Sequence, residues 1–167
     1  ALRDLRIPRI EARLLVEHAL GLKDSATAHA WLIAHDTDVL SDEIAARYES
    51  LVLCRMAGKP IAYLVGQREF YGRPFRTTPA ALIPRPETEL LIDIALSALP
   101  AEFSGAIVDV GTGTGCIAIT LALERPQARV TALDVSADAL ALARENAKLL
   151  GASNAQFVES NWFSQVP

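Results

Sequence analysis

The stretch DVGTGTGC, residues 109–116, places three glycines on alternate positions directly after an acidic residue. Gly111, Gly113 and Gly115 can let the backbone approach a ligand closely, because glycine has no Cβ and accepts positive φ. The stretch is not a phosphate-binding P-loop, since no Gly-Lys-Ser/Thr follows it. It also departs from the dinucleotide fingerprint, because Cys116 occupies the position of the third glycine in G-x-G-x-x-G. The alternative for the glycines alone is a tight turn that binds nothing.

Two carboxylates narrow the chemistry of the ligand. Asp109 lies two residues before the first glycine, where it would repel a pyrophosphate and attract a cationic amino group. Asp134 ends the next predicted strand, and a carboxylate at that place can accept both hydroxyls of a ribose. A ligand with a ribose and a positively charged amino acid end, but no phosphate, matches both residues. S-adenosylmethionine is such a ligand.

An alternation of strands and helices is predicted to position these residues. The apolar run AIVDV, residues 106–110, predicts a strand buried on both faces, followed by an apolar helix after the glycines. Residues 129–134 and 155–160 predict two more strands. Ser136 is the expected N-cap of the helix between them, with Gly151 just past its end. This alternation predicts a parallel sheet with right-handed crossovers.

The first sixty or so residues predict helices whose apolar stripes indicate core packing. Pro8 suits the start of one helix, about 25–35 form a second, and Ser41 is the expected N-cap of a third. The expected stripes are Ile10, Leu14, Leu15 and His18 in the first helix and Ile44, Tyr48, Leu51 and Val52 in the third.

The composition of the sequence changes after Lys59, between these predicted helices and the predicted sheet. Residues 68–77 predict a β-hairpin turning at Gly72-Arg73, and Pro86 can open a helix that stops near Pro100. The domain boundary is expected between about residues 59 and 80.

Composition excludes several classes of protein. The 167 residues carry a net charge of −4, which argues against a general nucleic-acid binder. No apolar run of about 18 residues occurs, so no membrane span is expected. Cys54 and Cys116 suggest no disulfide framework, which makes the cytoplasm the default location. His18, His29 and His35 show no metal-ligand spacing with a cysteine, so no metal is expected.

Longer motifs carry a resemblance to a known family. The glycine stretch and ALDVSADALALARENAKLLG are similar to class I S-adenosylmethionine-dependent methyltransferases, and KPIAYLVGQREFYGRPFRTTPAALIPRPETE resembles the PrmC/HemK family. The resemblance implies an α/β fold: a small N-terminal helical domain followed by a class I methyltransferase (Rossmann-like) parallel sheet, incomplete at the C-terminus. It implies a helical substrate-recognition domain over 1–72, a hairpin linker to about 80, and the N-terminal half of the methyltransferase domain over 81–167.

The resemblance also implies roles for individual residues. The segment SNWF, residues 160–163, corresponds to the segment beside the adenine, with Trp162 against the ring. Many relatives carry Asp where this chain has Asn161, whose carbonyl can still accept from the adenine amino group. For Arg85 and Glu87 the alternative is an exposed ion pair that caps a helix. The implied cofactor-binding residues are Asp109, Gly111, Thr112, Gly113, Thr114, Gly115, Asp134, Asn161 and Trp162, and Arg85, Glu87 and Thr88 line the mouth of the pocket.

The implied reaction is methylation of the side-chain amide nitrogen of the glutamine in the Gly-Gly-Gln motif of class I peptide chain release factors. The family's catalytic motif, Asn-Pro-Pro-Tyr, does not occur in these 167 residues. No catalytic residue is therefore expected here, and the chain alone is expected to be inactive. Two alternatives stay open: an amino-methyltransferase acting on another substrate, such as adenine in nucleic acid, and a non-catalytic module that binds the cofactor or a partner.

Overall fold

A computed structural model describes residues 7–22 and 25–165 of the chain, which divides into two compact units, Ala1–Val65 and Gly66–Pro167. No helix in the described ranges is long and apolar enough to cross a membrane. The first unit contains α1 (Arg9–Ala19), α2 (Ser25–Ala34), α3 (Asp42–Met56) and α4 (Ile61–Val65). The second contains β1 (Gln67–Phe70), β2 (Arg73–Arg76), a 3-10 turn (Pro86–Thr88), α5 (Glu89–Ala98), β3 (Ala106–Val110), α6 (Cys116–Glu124), β4 (Arg129–Asp134), α7 (Ala137–Leu150) and β5 (Ala155–Glu159).

The buried face of α1 differs from the predicted stripe. Leu15 is fully buried as expected, but Ile10 is 63% exposed. The buried apolar side chains recur at helical spacing on a neighbouring face of the helix that includes Leu15. They are Ala12, Leu15, Val16 and Ala19, and the charged residue Glu17 is buried as well.

The start of α3 confirms the predicted cap. The Ser41 hydroxyl accepts a hydrogen bond from the amide of Ile44 at 3.4 Å. Such a cap satisfies one of the amide groups that the first turn of a helix leaves without a partner. Further along α3, Tyr48, Leu51 and Val52 of the predicted stripe pack against the core cluster of the first unit, whereas Ile44 is not part of that cluster.

The hairpin turns one residue earlier than predicted. Phe70 pairs with Arg73, so the two turn residues are Tyr71 and Gly72, with φ of 51° and 70°. A two-residue turn of this kind needs positive φ at both positions, which a tyrosine rarely adopts. Tertiary contacts hold it there: the Tyr71 amide donates to the Glu89 carboxylate at 2.9 Å, and its hydroxyl donates to the Asp93 carboxylate at 2.9 Å.

The hairpin was expected to link the two domains, but it lies within the second unit. The reason is the burial of its two aromatic side chains, Phe70 and Phe75, which are 1% and 0% exposed. Both belong to the core cluster that also contains Ile92 of α5 and Ile119 of α6. The compact units therefore divide between Val65 and Gly66.

The second unit contains a parallel sheet of order β3-β4-β5. Helix α6 contacts β3 and β4, α7 contacts β4 and β5, and the two helices contact each other, so both lie on one face of the sheet. Right-handed crossovers that proceed in one direction across a sheet produce this arrangement. Six of the nine residues of α6 are buried, as its apolar sequence predicted.

Strand β3 was expected to be buried on both faces, and this prediction was wrong. Ile107 packs against the helical side, whereas Val108 and Val110 are each 40% exposed on the opposite face. The cause is topological, because the helices after β3 and β4 both cover the same side of the sheet. Among the described residues, β3 is also an edge strand that pairs with β4 alone.

Candidate functional site

The glycine stretch forms the turn between β3 and α6. Gly111, Gly113 and Gly115 have φ of 79°, 55° and 81°, a region that side chains rarely adopt. A Cβ on Gly115 would lie 2.7 Å from Cδ1 of Ile119, so close packing against α6 requires glycine there. A Cβ on Gly113 would meet only Ala81, at 3.7 Å. Gly113 therefore borders more open space than Gly115.

The backbone amides of this turn are largely engaged inside the protein. The amides of Gly111 and Thr112 both donate to the Leu133 carbonyl, at 2.8 and 2.9 Å, and the Gly115 amide donates to the Thr112 carbonyl at 2.8 Å. The Gly113 amide donates to the Asp134 carboxylate at 2.9 Å, so four of the five amides of residues 111–115 have a partner within the protein. A phosphate-binding loop instead presents free amides to its anion. The arrangement favours a ligand without a phosphate at this turn.

Asp134 is fixed at the carboxyl end of β4. One of its carboxylate oxygens accepts from the Gly113 amide at 2.9 Å and the other from the Ser136 amide at 3.0 Å. The Ser136 hydroxyl caps α7 as predicted, accepting from the Ala139 amide at 3.2 Å. Each oxygen of an ionised carboxylate has two lone pairs, so each keeps a position for one more donor. The half-buried Asp134 can therefore accept two adjacent hydroxyls.

Asp109 lies on the inner side of the same turn. Its carboxylate accepts from the Thr112 hydroxyl at 2.7 Å and from the backbone amide of Ala118 in the first turn of α6. Burial raises the pKa of Asp109 above its usual value, and the charge of Asp134 raises it further, whereas the two hydrogen bonds lower it. Both donors are uncharged. A cationic group brought to this carboxylate would therefore stabilise its ionised form.

The side chains of the two threonines of the turn are buried. Thr112 is 5% exposed and Thr114 is 2% exposed, so their side chains face the protein interior. Their predicted role as cofactor-binding residues stays a prediction that concerns the main chain of the loop.

An open cleft of about 450 Å³ lies beyond the ends of β4 and β5. Asn161 lines it, and its predicted place beside the adenine stays a prediction. Trp162, which is 72% exposed with φ of 53°, lies in the adjoining turn rather than in the cleft wall. The lining residues are Val135, Glu159, Ser160, Asn161, Ser164 and Gln165.

Val135 was not among the predicted site residues of this cleft, and Ser160 was included only as part of the segment 160–163. Val135 follows Asp134 directly and is 67% exposed, which gives the cleft an apolar surface suited to the face of a ring. Its position after the acidic end of a strand was an available signal. Ser160 is 4% exposed, and its hydroxyl donates to the Trp162 carbonyl at 2.7 Å and accepts from the Gln165 amide at 3.1 Å. Only the folded turn reveals this role.

The segment before α5 approaches the glycine turn through Ala81. Ala81 packs with Ala139 and Leu142 of α7, and it is the side chain nearest to an added Cβ on Gly113. Five residues later the 3-10 turn begins at Pro86, and the Thr88 amide donates to the Arg85 carbonyl at 3.0 Å. Arg85 and Glu87 are exposed and Thr88 is half-buried. Their place at the mouth of a pocket stays a prediction.

Comparisons with known proteins match both parts of the chain. The PrmC N-terminal domain family matches residues 1–66, and the Methyltransferase small domain family matches residues 88–167. A protein of Bordetella pertussis is 46% identical over 166 residues, which is 99% of this chain and 59% of that protein. Proteins of Escherichia coli and Cereibacter sphaeroides are 42% and 47% identical, over 95% and 94% of this chain and 55% and 54% of their own length.

All three relatives are named release factor glutamine methyltransferase. The chain spans somewhat over half of the length of these relatives. The two family matches follow the order of the two units, helices first and parallel sheet second. From the match to both domains and the identity over nearly all of its residues, the chain belongs to the PrmC/HemK family.

Proposed function

We propose that this chain binds S-adenosylmethionine, and that the protein transfers the methyl group to the side-chain amide nitrogen of the glutamine in a release factor's Gly-Gly-Gln motif. The observation that supports the cofactor assignment is the hydrogen bond between the glycine turn and Asp134. The turn uses its amides internally, and the carboxylate keeps two acceptor positions for hydroxyls. The substrate assignment rests on the names of the relatives.

The chain's own residues divide the cofactor between them in this proposal. Asp134 accepts the ribose hydroxyls, and the turn of Gly111–Gly115 allows close approach of the main chain. Asp109 attracts the cationic amino group of the methionine part. Asn161 accepts from the adenine amino group. Val135 offers apolar surface to the ring within the cleft, and Trp162, which is 72% exposed in the adjoining turn, is proposed to contact the ring from there. The cofactor supplies a methyl group on a positively charged sulfur.

Transfer also requires that the glutamine amide nitrogen lie in line with that methyl group. Positioning of this kind can lower a reaction barrier by several kcal/mol. No residue of this chain is assigned to hold the amide, since Asn-Pro-Pro-Tyr does not occur in the sequence. Arg85, Glu87 and Thr88 are proposed to line the approach of the substrate.

The proposed partner is a class I peptide chain release factor, and the proposed location is the cytoplasm, where translation ends. A net charge of −4 disfavours nucleic acid as the direct substrate. The free thiols of Cys54 and Cys116 are consistent with a reducing compartment.

Calorimetry with the 167-residue protein tests the cofactor assignment. S-adenosylmethionine and its product S-adenosylhomocysteine should bind, and NAD should bind more weakly. Tighter binding of NAD than of S-adenosylmethionine, or no binding of either adenosyl compound, would contradict the assignment.

Methyl transfer tests the substrate assignment. Labelled cofactor is incubated with the protein and a purified release factor, beside a release factor whose motif glutamine is replaced by alanine. In a protein that also contains Asn-Pro-Pro-Tyr, label should appear only on the intact motif. Label on nucleic acid or on the substituted release factor would overturn the proposal. The 167 residues alone are expected to transfer none.

A further inference from the structure

A fully buried amide side chain connects the hairpin to the glycine turn. Asn146 in the middle of α7 is 0% exposed. Its Oδ1 accepts from the Arg76 amide at 2.8 Å, and its Nδ2 donates to the Arg76 carbonyl at 3.1 Å. The same Nδ2 donates to the Thr114 carbonyl at 2.9 Å. One side chain therefore bonds two segments that lie about forty residues apart in sequence, the last residue of β2 and the glycine turn.

These three bonds use both donors and one acceptor position of the amide. An asparagine amide offers two N–H groups and a carbonyl oxygen, so few other side chains could replace it. A buried carbonyl that loses its donor is left unsatisfied, which is more unfavourable than the bond itself was favourable. The position therefore demands asparagine for chemical reasons rather than for volume.

The Thr114 carbonyl lies at a sensitive place in the turn. It belongs to the peptide that joins Thr114 to Gly115, whose φ of 81° starts α6. The residue before Thr114 is Gly113, whose amide lies two peptide units before the Thr114 carbonyl and donates to the Asp134 carboxylate. Rotation of the Thr114 peptide would change ψ of Thr114 and φ of Gly115, and would loosen the short segment that presents Gly113 to Asp134. Fixing its carbonyl from α7 thus fixes the turn against the carboxylate.

We infer that Asn146 is a positioning residue that holds the glycine turn in the conformation that binds the cofactor and ties this turn to the hairpin. The ligand part rests on the function proposed above. The effect on the turn does not, because the bond to Thr114 acts without a ligand.

The chain offers a matched control in a second asparagine. Asn154 also donates through Nδ2 to main-chain carbonyls, those of Ala122, Arg125 and Ala128, at 3.1, 3.2 and 3.0 Å. These carbonyls lie at the C-terminal end of α6 and just beyond it, at the opposite end of that helix from the glycine turn. Removing this amide should destabilise the unit without moving the turn.

The experiment compares the 167-residue wild type with Asn146→Ala, Asn154→Ala and Asn146→Ser. The serine variant buries no charge and keeps a polar group at the site, but it lacks the amide that reaches both the Arg76 and the Thr114 carbonyls, so it serves if the alanine variant does not fold. Amide hydrogen exchange of Gly113 and Gly115 is measured by NMR without ligand. Binding of S-adenosylhomocysteine is measured by calorimetry, and thermal unfolding reports the fold.

Both alanine variants should unfold at lower temperature than the wild type. Only the Asn146 variants should show faster exchange at Gly113 and Gly115 and about tenfold weaker binding, the equivalent of one lost buried hydrogen bond. Wild-type exchange and affinity in the Asn146 variants, or equal losses in the Asn154 variant, would overturn the inference. Faster exchange in the Asn146 variants beside a wild type that binds no S-adenosylhomocysteine would support the positioning role and contradict the proposed cofactor.

Discussion

At the scale of the residue, the two carboxylates of the site lie in different environments. Asp134 is held by two backbone amides at the end of its strand, with acceptor positions left for a ligand. Asp109 is turned inward toward Thr112 and the first turn of α6, and burial raises its pKa. One carboxylate therefore keeps acceptor positions for further donors, whereas a cation beside the other would favour its ionised form.

Replacing Asp134 with alanine should weaken the binding of S-adenosylhomocysteine. Hydrogen bonds to a charged group contribute about 1.5–3 kcal/mol, which corresponds to roughly tenfold to a hundredfold in affinity. Asp138→Ala is the control, because this exposed acid lies one turn away at the start of α7. Calorimetry would contradict the role of Asp134 if both variants kept the wild-type dissociation constant.

Replacing Asp109 with asparagine should raise stability at neutral pH. The folded-state pKa of Asp109 is raised above 3.8, the ordinary value of an aspartate, so the folded state favours the protonated form more than the unfolded state does. The stabilisation from this group is complete below the unfolded pKa and is lost as pH rises through the folded pKa. Asparagine carries no charge to bury and can still accept from Thr112.

The gain in melting temperature of the Asp109→Asn variant should therefore be larger at about pH 8 than at about pH 4, because the penalty of burying the charged carboxylate shrinks as the wild-type group takes up its proton. The same variant should bind S-adenosylhomocysteine more weakly if Asp109 attracts the amino group. Asp138→Asn is again the control. A melting temperature that changes equally at both pH values would show that burial of this charge does not limit stability.

At the scale of the element, short turns at the carboxyl ends of β3, β4 and β5 build the site. Their geometry depends on glycines with positive φ and on side chains that bond to the backbone, such as Ser136 and Ser160. The strands place these turns next to each other because parallel strands carry their carboxyl ends to one edge of the sheet.

Substitutions of Gly113 and Gly115, in the turn between β3 and α6, should differ in their effects on cofactor binding and on stability. Gly115→Ala should lower the melting temperature, because its Cβ would lie 2.7 Å from Ile119 and 3.2 Å from the Cβ of Ala143. Gly113→Ala should leave the fold closer to wild type but weaken cofactor binding, since its Cβ enters the more open side of the turn. Thermal unfolding and calorimetry on both variants check this, and the reverse ranking would refute it.

Removing the Ser160 hydroxyl should loosen the turn that carries Asn161 and Trp162. The hydroxyl bonds to the Trp162 carbonyl and the Gln165 amide, and a buried hydrogen bond contributes about 1 kcal/mol. We expect Ser160→Ala to weaken adenosyl binding about fivefold and to alter the fluorescence of Trp162. Ser153→Ala, at an exposed loop position, should change neither. Wild-type affinity in the Ser160 variant would show that this turn is not part of the binding site.

At the scale of the whole molecule, the helical unit and the sheet unit follow one another, and only one face of the sheet carries α6 and α7. This topology leaves Val108 and Val110 partly exposed on an edge strand. An apolar edge strand is a template for pairing with another chain.

The 167-residue protein should therefore self-associate, and Val108→Lys should reduce this. A charge on the open face of an edge strand opposes edge-to-edge pairing. Leu149→Lys is the control, because Leu149 is an equally apolar residue, 60% exposed, on α7 and away from the edge. Sedimentation velocity at several concentrations distinguishes the two. Equal behaviour of both variants would show that the edge does not drive association.

The sequence by itself determined the local chemistry. Alternate glycines after an acid, Asp134 at the end of a strand, the caps Ser41 and Ser136, and the alternation of strands and helices all depend on neighbours a few residues apart. Such short-range patterns can be recognised directly, because propensities and caps act within one turn or one strand. The resemblance to the PrmC/HemK family rested on the same local motifs, and the family matches confirmed it.

Only the tertiary structure decided which surfaces meet. The hairpin turns at Tyr71 because two carboxylates of α5 hold that residue, and Val108 is exposed because both crossover helices cover the other face. Asn146 meets the Thr114 carbonyl across 32 residues of sequence. Contacts of this range depend on how the chain folds back on itself, and the identity of a residue does not reveal its distant partners.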